Sequence, residues 1–394
     1  MAKTGAGALE SPLTGLKVLD FSRVLAGPFA GRMLNDLGAD VVKVEPPEGD
    51  VTRLWGKVIG GVPGYYHQQN AGKRNICLDL RAAGARELVL ELVAQADILI
   101  ENFRPDVMPR LGLGYEVLRA INPRLIMLSI SGFGQGGPES RRPAYAPIIH
   151  AEAGLMDRTR RRTGMTRTEL PLSVADTNAS LHGLVATLAA VILRQRTGLG
   201  QHIDIAMIDA TLVTDDQLHY ELEDSEATMG LPNDVWTTGA GPILVSADFR
   251  HLWRRLTGNL EIKDPAGPSA SLEDKIRLRR EAVEGFLAGL PTWDAVEAAM
   301  DRMNIAWGQV RAGAKIEDQP TVRHRGAITW IDDRAGGTRP IPQSPYRFSA
   351  ARSEVRGPAP HRGEHNDSVL SEWIGKPPPG IRALYDAGVL LRDG

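Results

Sequence analysis

The chain has 394 residues, 42% of them hydrophobic and 24% charged, and a net charge of −2 at pH 7. That length exceeds one compact core, so two domains are expected, and the near-balanced charge gives no general reason to expect a nucleic-acid partner. Cys77 is the only cysteine, which excludes an internal disulfide and a CxxC-type metal site. The N-terminal MAKTGAGALESPLTG has no apolar signal region, and no apolar run reads as long enough to span a bilayer. The expectation is a cytoplasmic protein with no membrane partner.

Lys17–Ser22 (KVLDFS) reads as a short buried strand. It runs through Arg23-Val24-Leu25-Ala26-Gly27-Pro28 into a helix with Phe29, Met33, Leu34 and Leu37 on one side. Gly38 ends that helix, and Asp40–Glu45 (DVVKVE) is the next strand. This strand–turn–helix–strand unit begins a parallel sheet, but its turn is not the GxGxxG of a dinucleotide site. Asn75–Leu80 is a third strand. A helix follows with Ala85, Leu88, Val89, Leu92 and Val93 as its apolar stripe. Asp97–Asn102 and Leu125–Ser131 are the fourth and fifth strands, and Arg104–Pro123 between them is part helix, part loop. Gly132–Pro138 (GFGQGGP) lacks the Lys-Ser/Thr ending of a P-loop and reads as a mobile or tightly turned loop.

Pro171–Ala210 reads as a loop, one acid, a long helix, a glycine turn and a strand. Leu181, Leu184, Val185, Leu188, Val191 and Ile192 recur at helical spacing, with alanine on most other faces. A helix apolar nearly all round belongs in a core. Arg194, Arg196 and Gly198 close it. Asp176 is the only ionisable residue between Leu170 and His182, and it stands where the helix starts. Two readings are open there: an N-cap that accepts a free backbone N–H, or a nucleophile or base held ionised by the helix N-terminus.

Strands alternating with helices make the first half doubly wound α/β. After about Asp209 the texture changes. Leu212–Asp224 reads as helical, Ser225–Pro242 has few periodic runs, Ile243–Ala247 is a strand candidate, and Leu272–Leu290 and Thr292–Met303 are amphipathic helices. Thr338–His365 is proline-rich and reads as an extended linker, followed by a short helix, Asp367–Trp373. The expected layout is a large domain opening over residues 1–215, a small domain over 225–330, and a linker with a C-terminal segment over 335–394.

Basic residues gather at the expected strand ends: Arg23, Lys43, Lys73, Arg74, Arg81, Arg104 and Arg110. They form an anion-binding rim of the kind that suits phosphate, or scattered solvated cations. Arg158–Arg162 (RTRRR) has no interleaved aromatics and reads as a solvated loop. His361 and His365 have the spacing of a zinc pair but follow prolines, with Glu364 misplaced for HExxH, so no metal is expected. Tyr145 and His150 are candidates for a pocket wall, or for a half-buried loop.

The chain resembles the family III CoA-transferases, the CaiB/BaiF group that also contains the α-methylacyl-CoA racemases. The matching segments are PLTGLKVLDFSRVLAGPFAGRMLNDLGADVVKVEPPEGD, NAGKRNICLDLR, ADILIENFRPDVMPRLGLGYEVL, NPRLIMLSISGFGQGGP, AYAPIIHAEAGLM, VAD with its helix and RTGLGQHIDIAM, and APHRGEHNDSVL. They are collinear over most of residues 11–215 and 357–371. The resemblance implies a Rossmann-like large domain, a smaller α+β domain, and a homodimer interlocked like links, with the C-terminal segment returning to the large domain. It implies coenzyme A as the carrier, with an acyl-CoA and a free carboxylic acid as substrates. By position, CoA would lie along Leu25, Ala26, Leu78, Asp79, Leu80, Arg81, Asn102, Phe103, Arg104 and Arg110. Tyr145 would approach the thioester, and Asp176 would be the catalytic aspartate.

Two departures bear on substrate and reaction. Small-acid transferases of this family often carry Gln where this chain has Leu25, and a mobile glycine-rich loop for which only Thr238-Gly239-Ala240-Gly241 is available. A more apolar acid is therefore expected. The racemases need a His at the position of Tyr145, whose phenol, with an ordinary pKa of about 10, is a poor base. A CoA-transferase is the reading adopted. A racemase using Asp176 and His150, and a non-catalytic acyl-CoA-binding protein, are the alternatives.

Overall fold

Valine, leucine and isoleucine pairs at adjacent positions build the central sheet of the computed structural model, which describes residues 9–164, 169–225, 233–260 and 262–393. The chain runs through β1 (Lys17–Asp20), α1 (Ala26–Asp36), β2 (Asp40–Glu45), α2 (Gly64–Asn70), β3 (Arg74–Leu78), α3 (Ala85–Val93), β4 (Ile98–Glu101), β5 (Ile126–Ser131), α4 (Ala146–Glu152), α5 (Val174–Thr197) and β6 (His202–Ala206). The strands lie in the order β3-β2-β1-β4-β5-β6, all parallel. Leu390–Leu391 adds an antiparallel edge beside β3. Chain direction across the sheet reverses between β1 and β4, and a crevice opens outside the carboxyl ends at such a point.

Side chains alternate across the strands. Leu19, Val42, Ile76, Leu99 and Met127 face α3 and Trp373. Val18, Val41, Ile98, Ile126 and Leu128 face α1 and α5. The long helix differs from its expectation. Its Ala175, Ala179, Gly183 and Leu184 side is buried, and a Cβ on Gly183 would already touch Leu128 at 3.1 Å. Leu181, Val185 and Ile192, however, are 45%, 65% and 59% exposed. The helix is also long and apolar enough by composition to cross a bilayer, with a mean hydropathy of 1.2; here one side of it lies along a sheet.

The chain up to Leu218 and from His324 onward forms one unit, and His219–Arg323 forms the other. In the first, RTRRR is part of a helix, Leu155–Thr163, rather than a loop. Arg158 pairs there with Asp215 at 2.6 Å, and Arg160 and Arg161 pair with Asp157. The helix expected over Leu212–Asp224 is two pieces, Met207–Thr214 and Leu218–Leu222, because Asp215 turns back to accept the Gln217 N–H. The proline-rich segment is not a free linker. Thr338–Pro342 pairs with Ile328–Asp332, Ser353 donates to the Asp36 carbonyl, and Arg356 donates to those of Gly38 and Ala39. His365 accepts the Asn75 N–H at 3.2 Å through Nδ1, and Asn366 accepts that of Cys77.

In the second unit, Asn233–Thr238, Gly241–Ser246 and Trp307–Gln309 form an antiparallel sheet. The helices Phe249–Asn259, Leu272–Ala288 and Trp293–Met303 share its core with Trp236, Ile243 and Val245. Part of the stretch read as aperiodic, 226–232, lies outside the described residues. Thr238-Gly239-Ala240-Gly241 is a tight hairpin turn, not a loose loop. Thr238 Oγ1 accepts the N–H groups of Ala240 and Gly241, and a Cβ on Gly239 would come within 2.7 Å of the Leu290 carbonyl.

Candidate active site

A cavity of about 500 Å³ opens where the parallel strands end. Ser22 lines it beyond β1, Glu48 and Asp50 beyond β2, Asp79 beyond β3, Asn102 beyond β4, Gly132 beyond β5 and Met207 beyond β6. Phe21 and Ser22 beyond β1, Asp79 and Leu80 beyond β3 and Asn102 beyond β4 continue the strand runs read from the sequence but lie outside the strands and line the cavity. Ala26, Asp79, Leu80, Arg81, Asn102, Phe103, Arg104 and Tyr145 line it together with Asp176. Leu25, Leu78 and Arg110 do not. Leu78 is wholly buried against α3, Leu25 is the buried residue before α1, and Arg110 faces solvent beside Asp106.

Asp176 is not the N-cap. The helix begins at Val174 after Ser173, which puts Asp176 in the first turn, 7% exposed. Backbone N–H groups of Ala146, Ala26 and Asp176 itself lie near its carboxylate and favour the charged form. Ala146 opens α4 and Ala26 opens α1, so three helix starts converge on one carboxylate, and each carries positive dipole density. Burial pushes the Asp176 carboxyl up to about 6, and the three N–H groups oppose that rise. The group is therefore mostly ionised at neutral pH, through donors that a sequence does not display.

His150 is wholly buried and accepts the Ala175 N–H at 3.2 Å through Nε2, while burial lowers its pKa. A neutral ring with its acceptor nitrogen so occupied supports the start of α5 and is not free to take a proton from carbon. Tyr65 of α2 was not singled out from the sequence, because GYYHQQN has no periodic signal. It packs edge-on to Trp55, and burial pushes its phenol up to about 12, reinforced by the charges of Asp176 and Asp50. A phenol that stays protonated near Asp176 is a donor, not a base.

The rim differs from the expected ring of free cations. Arg23, Arg81 and Arg104 reach the cavity, Arg23 over the Phe103 ring and Arg81 beside Asp79. Lys43 and Lys73 are buried in ion pairs with Asp50 (3.1 Å) and Asp20 (2.7 Å). Arg74 opens β3, at the amino end of the strand, and pairs with Asp40 and Glu372.

Titration of Asp176 has a kinetic consequence. If Asp176 is the reacting group, only its carboxylate is nucleophilic, and turnover is expected to fall about tenfold per pH unit below a midpoint near 6 and to level off above it. A log kcat profile between about pH 5 and 8 checks this; a flat profile speaks against Asp176 as the reacting group.

A parallel α/β sheet whose strand ends surround a buried carboxylate, with arginines at the mouth, defines an α/β enzyme acting on an anionic substrate. The sequence profile of CoA-transferase family III matches residues 13–366. A succinate–glutarate CoA-transferase of Agrobacterium fabrum is 33% identical over 385 residues, covering 92% of this chain and 96% of that protein. An acetyl-CoA:oxalate CoA-transferase of Acetobacter aceti is 44% identical over 213 residues, 54% of this chain and 55% of that one. The crystal structure of a CaiB/BaiF family protein from Brucella suis superposes with a TM-score of 0.77 at 32% identity, covering 92% of this chain and all of the other. The chain belongs to CoA-transferase family III, and it is a CoA-transferase.

Proposed function

We propose that Asp176 carries coenzyme A between two carboxylic acids as a covalent aspartyl intermediate. The observation that carries this reading is the convergence of three helix starts on one buried carboxylate at the wall of a cavity with a basic mouth. An Asp176 oxygen attacks the thioester carbonyl of the donor acyl-CoA. The C–S bond breaks, leaving an acyl-aspartyl anhydride and CoA thiolate. The thiolate attacks the Asp176 carbonyl carbon, the anhydride C–O bond breaks, and the donor acid leaves as its carboxylate. The acceptor carboxylate then attacks the aspartyl-CoA thioester and expels the thiolate. That thiolate attacks the acceptor's acyl carbon, which releases the new acyl-CoA and restores Asp176. One carboxylate enters and one leaves, so no proton transfer is needed. The N–H groups that hold the resting carboxylate also face the oxyanion that forms on the Asp176 carbonyl in the middle steps.

Coenzyme A is a substrate here, and the wall suits it. Arg23, Arg81 and Arg104 supply cations for phosphate, and the cavity leads from them to Asp176. Arg104→Ala is expected to weaken CoA binding about tenfold while Asp176 still forms its adduct; unchanged affinity by calorimetry removes Arg104 from the phosphate site.

Ile130, Ala144 and Met207 in the lining support an acid with an apolar chain. The test of the function is an acyl-CoA donor offered with a panel of labelled free acids in D2O. CoA should pass to the acids, fastest to apolar ones, with no deuterium at Cα. Deuterium incorporation without transfer contradicts the reading and returns a racemase.

The strand order supports the Rossmann-like description of the larger unit, and the exposed Leu181, Val185 and Ile192 stripe supports an interlocked homodimer in which a second copy covers it. Sedimentation should show a dimer that Val185→Glu converts to monomer. A monomeric wild type, or a dimer indifferent to that charge, contradicts this assembly.

A further inference from the structure

The turn from β1 into α1 is held against its own preference. Val24 has φ of 68°, a left-handed conformation that a β-branched residue avoids. Two side chains keep it there. Both oxygens of Asp50 accept the Val24 N–H, at 3.2 and 3.4 Å. One residue earlier, Asn102 accepts the Arg23 N–H and donates to the Arg23 carbonyl, each at 2.8 Å.

Asp50 is itself fixed. It is 2% exposed, pairs with Lys43 at 3.1 Å, and accepts from both the backbone and the hydroxyl of Thr52. Lys43 Nζ also donates to the Ser22 carbonyl at 2.6 Å, which ties the end of β1 to the same group. Two residues past Val24, Ala26 shares the cavity wall with Asp176 and its N–H lies near that carboxylate, while Ser180, one turn further along α5, donates to the Ala26 carbonyl. The strained residue thus sits between a buried ion pair and the peptide beside Asp176. Strain of this kind persists only where the surroundings over-determine it.

We propose that Asp50, paired with Lys43, is a positioning residue for the transfer reaction: it holds Val24 left-handed and so delivers the Ala26 N–H to Asp176. The inference rests on Asp176 being the nucleophile. Without Asp50 the Val24 N–H loses its acceptor, the backbone relaxes to negative φ, and the Ala26 donor leaves the carboxylate. Loss of one preorganised donor slows reaction and raises the pH at which the carboxylate ionises.

The test is a rescue. In Asp50→Ala, formation of the covalent adduct on Asp176, followed by rapid-quench mass spectrometry, is expected to slow at least about tenfold. Its pH midpoint should move above the wild-type value of about 6. In Asp50→Ala/Val24→Gly, glycine adopts φ > 0 without cost, so rate and midpoint should return toward wild type. A double variant as slow as the single one, or one in which neither variant folds, makes Asp50 merely structural and overturns the inference; so does a single variant with wild-type rate and midpoint. Absence of any adduct in the wild type would instead strike the reading of Asp176 itself.

Discussion

Asp176→Asn and Asp176→Ala are expected to lower kcat for CoA transfer by about 10⁴-fold or more, the scale on which an enzyme loses its nucleophile. Asparagine keeps the size of the side chain and an oxygen for the Ala26 and Ala146 N–H groups, but it has no anionic oxygen to attack a thioester. The helix start does not depend on the carboxylate. Ser173 is the N-cap residue, and His150 accepts the Ala175 N–H, so both variants should fold and bind CoA. Turnover within about tenfold of wild type in either variant would leave the buried carboxylate with no more than a structural part.

Gly27→Ala is expected to have the next largest effect, although residue 27 never touches substrate in the proposed reaction. A Cβ there would lie 2.1 Å from Cβ and 2.3 Å from Oγ of Ser22. Ser22 cannot yield easily, because its hydroxyl and its N–H both donate to buried Asp20, which Lys73 holds at 2.7 Å. The start of α1 must therefore move, and it carries the Ala26 N–H with it. Overpacking of this kind costs about 1–3 kcal/mol, and a displacement of about 1 Å costs roughly 10²-fold in rate. Denaturant unfolding and adduct-formation rate measure the two parts. Adding Ser22→Gly makes room, so the double variant should recover both, and strict additivity of the two substitutions would show that the contact does not control the site.

The sheet was legible because Val18-Leu19, Val41-Val42 and Ile98-Leu99 place one apolar side chain on each face, which reads as a run in the sequence. The stripe Ala85, Leu88, Val89, Leu92 and Val93 likewise fell on α3. Asp176 was legible as one acid in an apolar stretch, but its place on the helix was not. The backbone N–H groups near its carboxylate belong to Ala26 and Ala146, and alanine identity carries no trace of that. Lys43 and Lys73 looked like rim cations because a sequence cannot show that Asp50 and Asp20 fold back to bury them. Leu181 and Val185 looked like core because hydrophobicity around a helix does not show which side packs on the sheet and which is left exposed. The proline-rich strap failed for the opposite reason. Its anchors, Ser353 and Arg356, bind backbone carbonyls, which are the same at every position.

The most direct test of the central claim is intact-mass analysis of the protein mixed with a donor acyl-CoA and no acceptor acid, followed by peptide mapping. The account predicts a covalent CoA thioester on Asp176, convertible to a hydroxamate by hydroxylamine and absent in Asp176→Ala. Transfer of CoA to an added acid with no adduct at Asp176, or with the adduct on another residue, would contradict it.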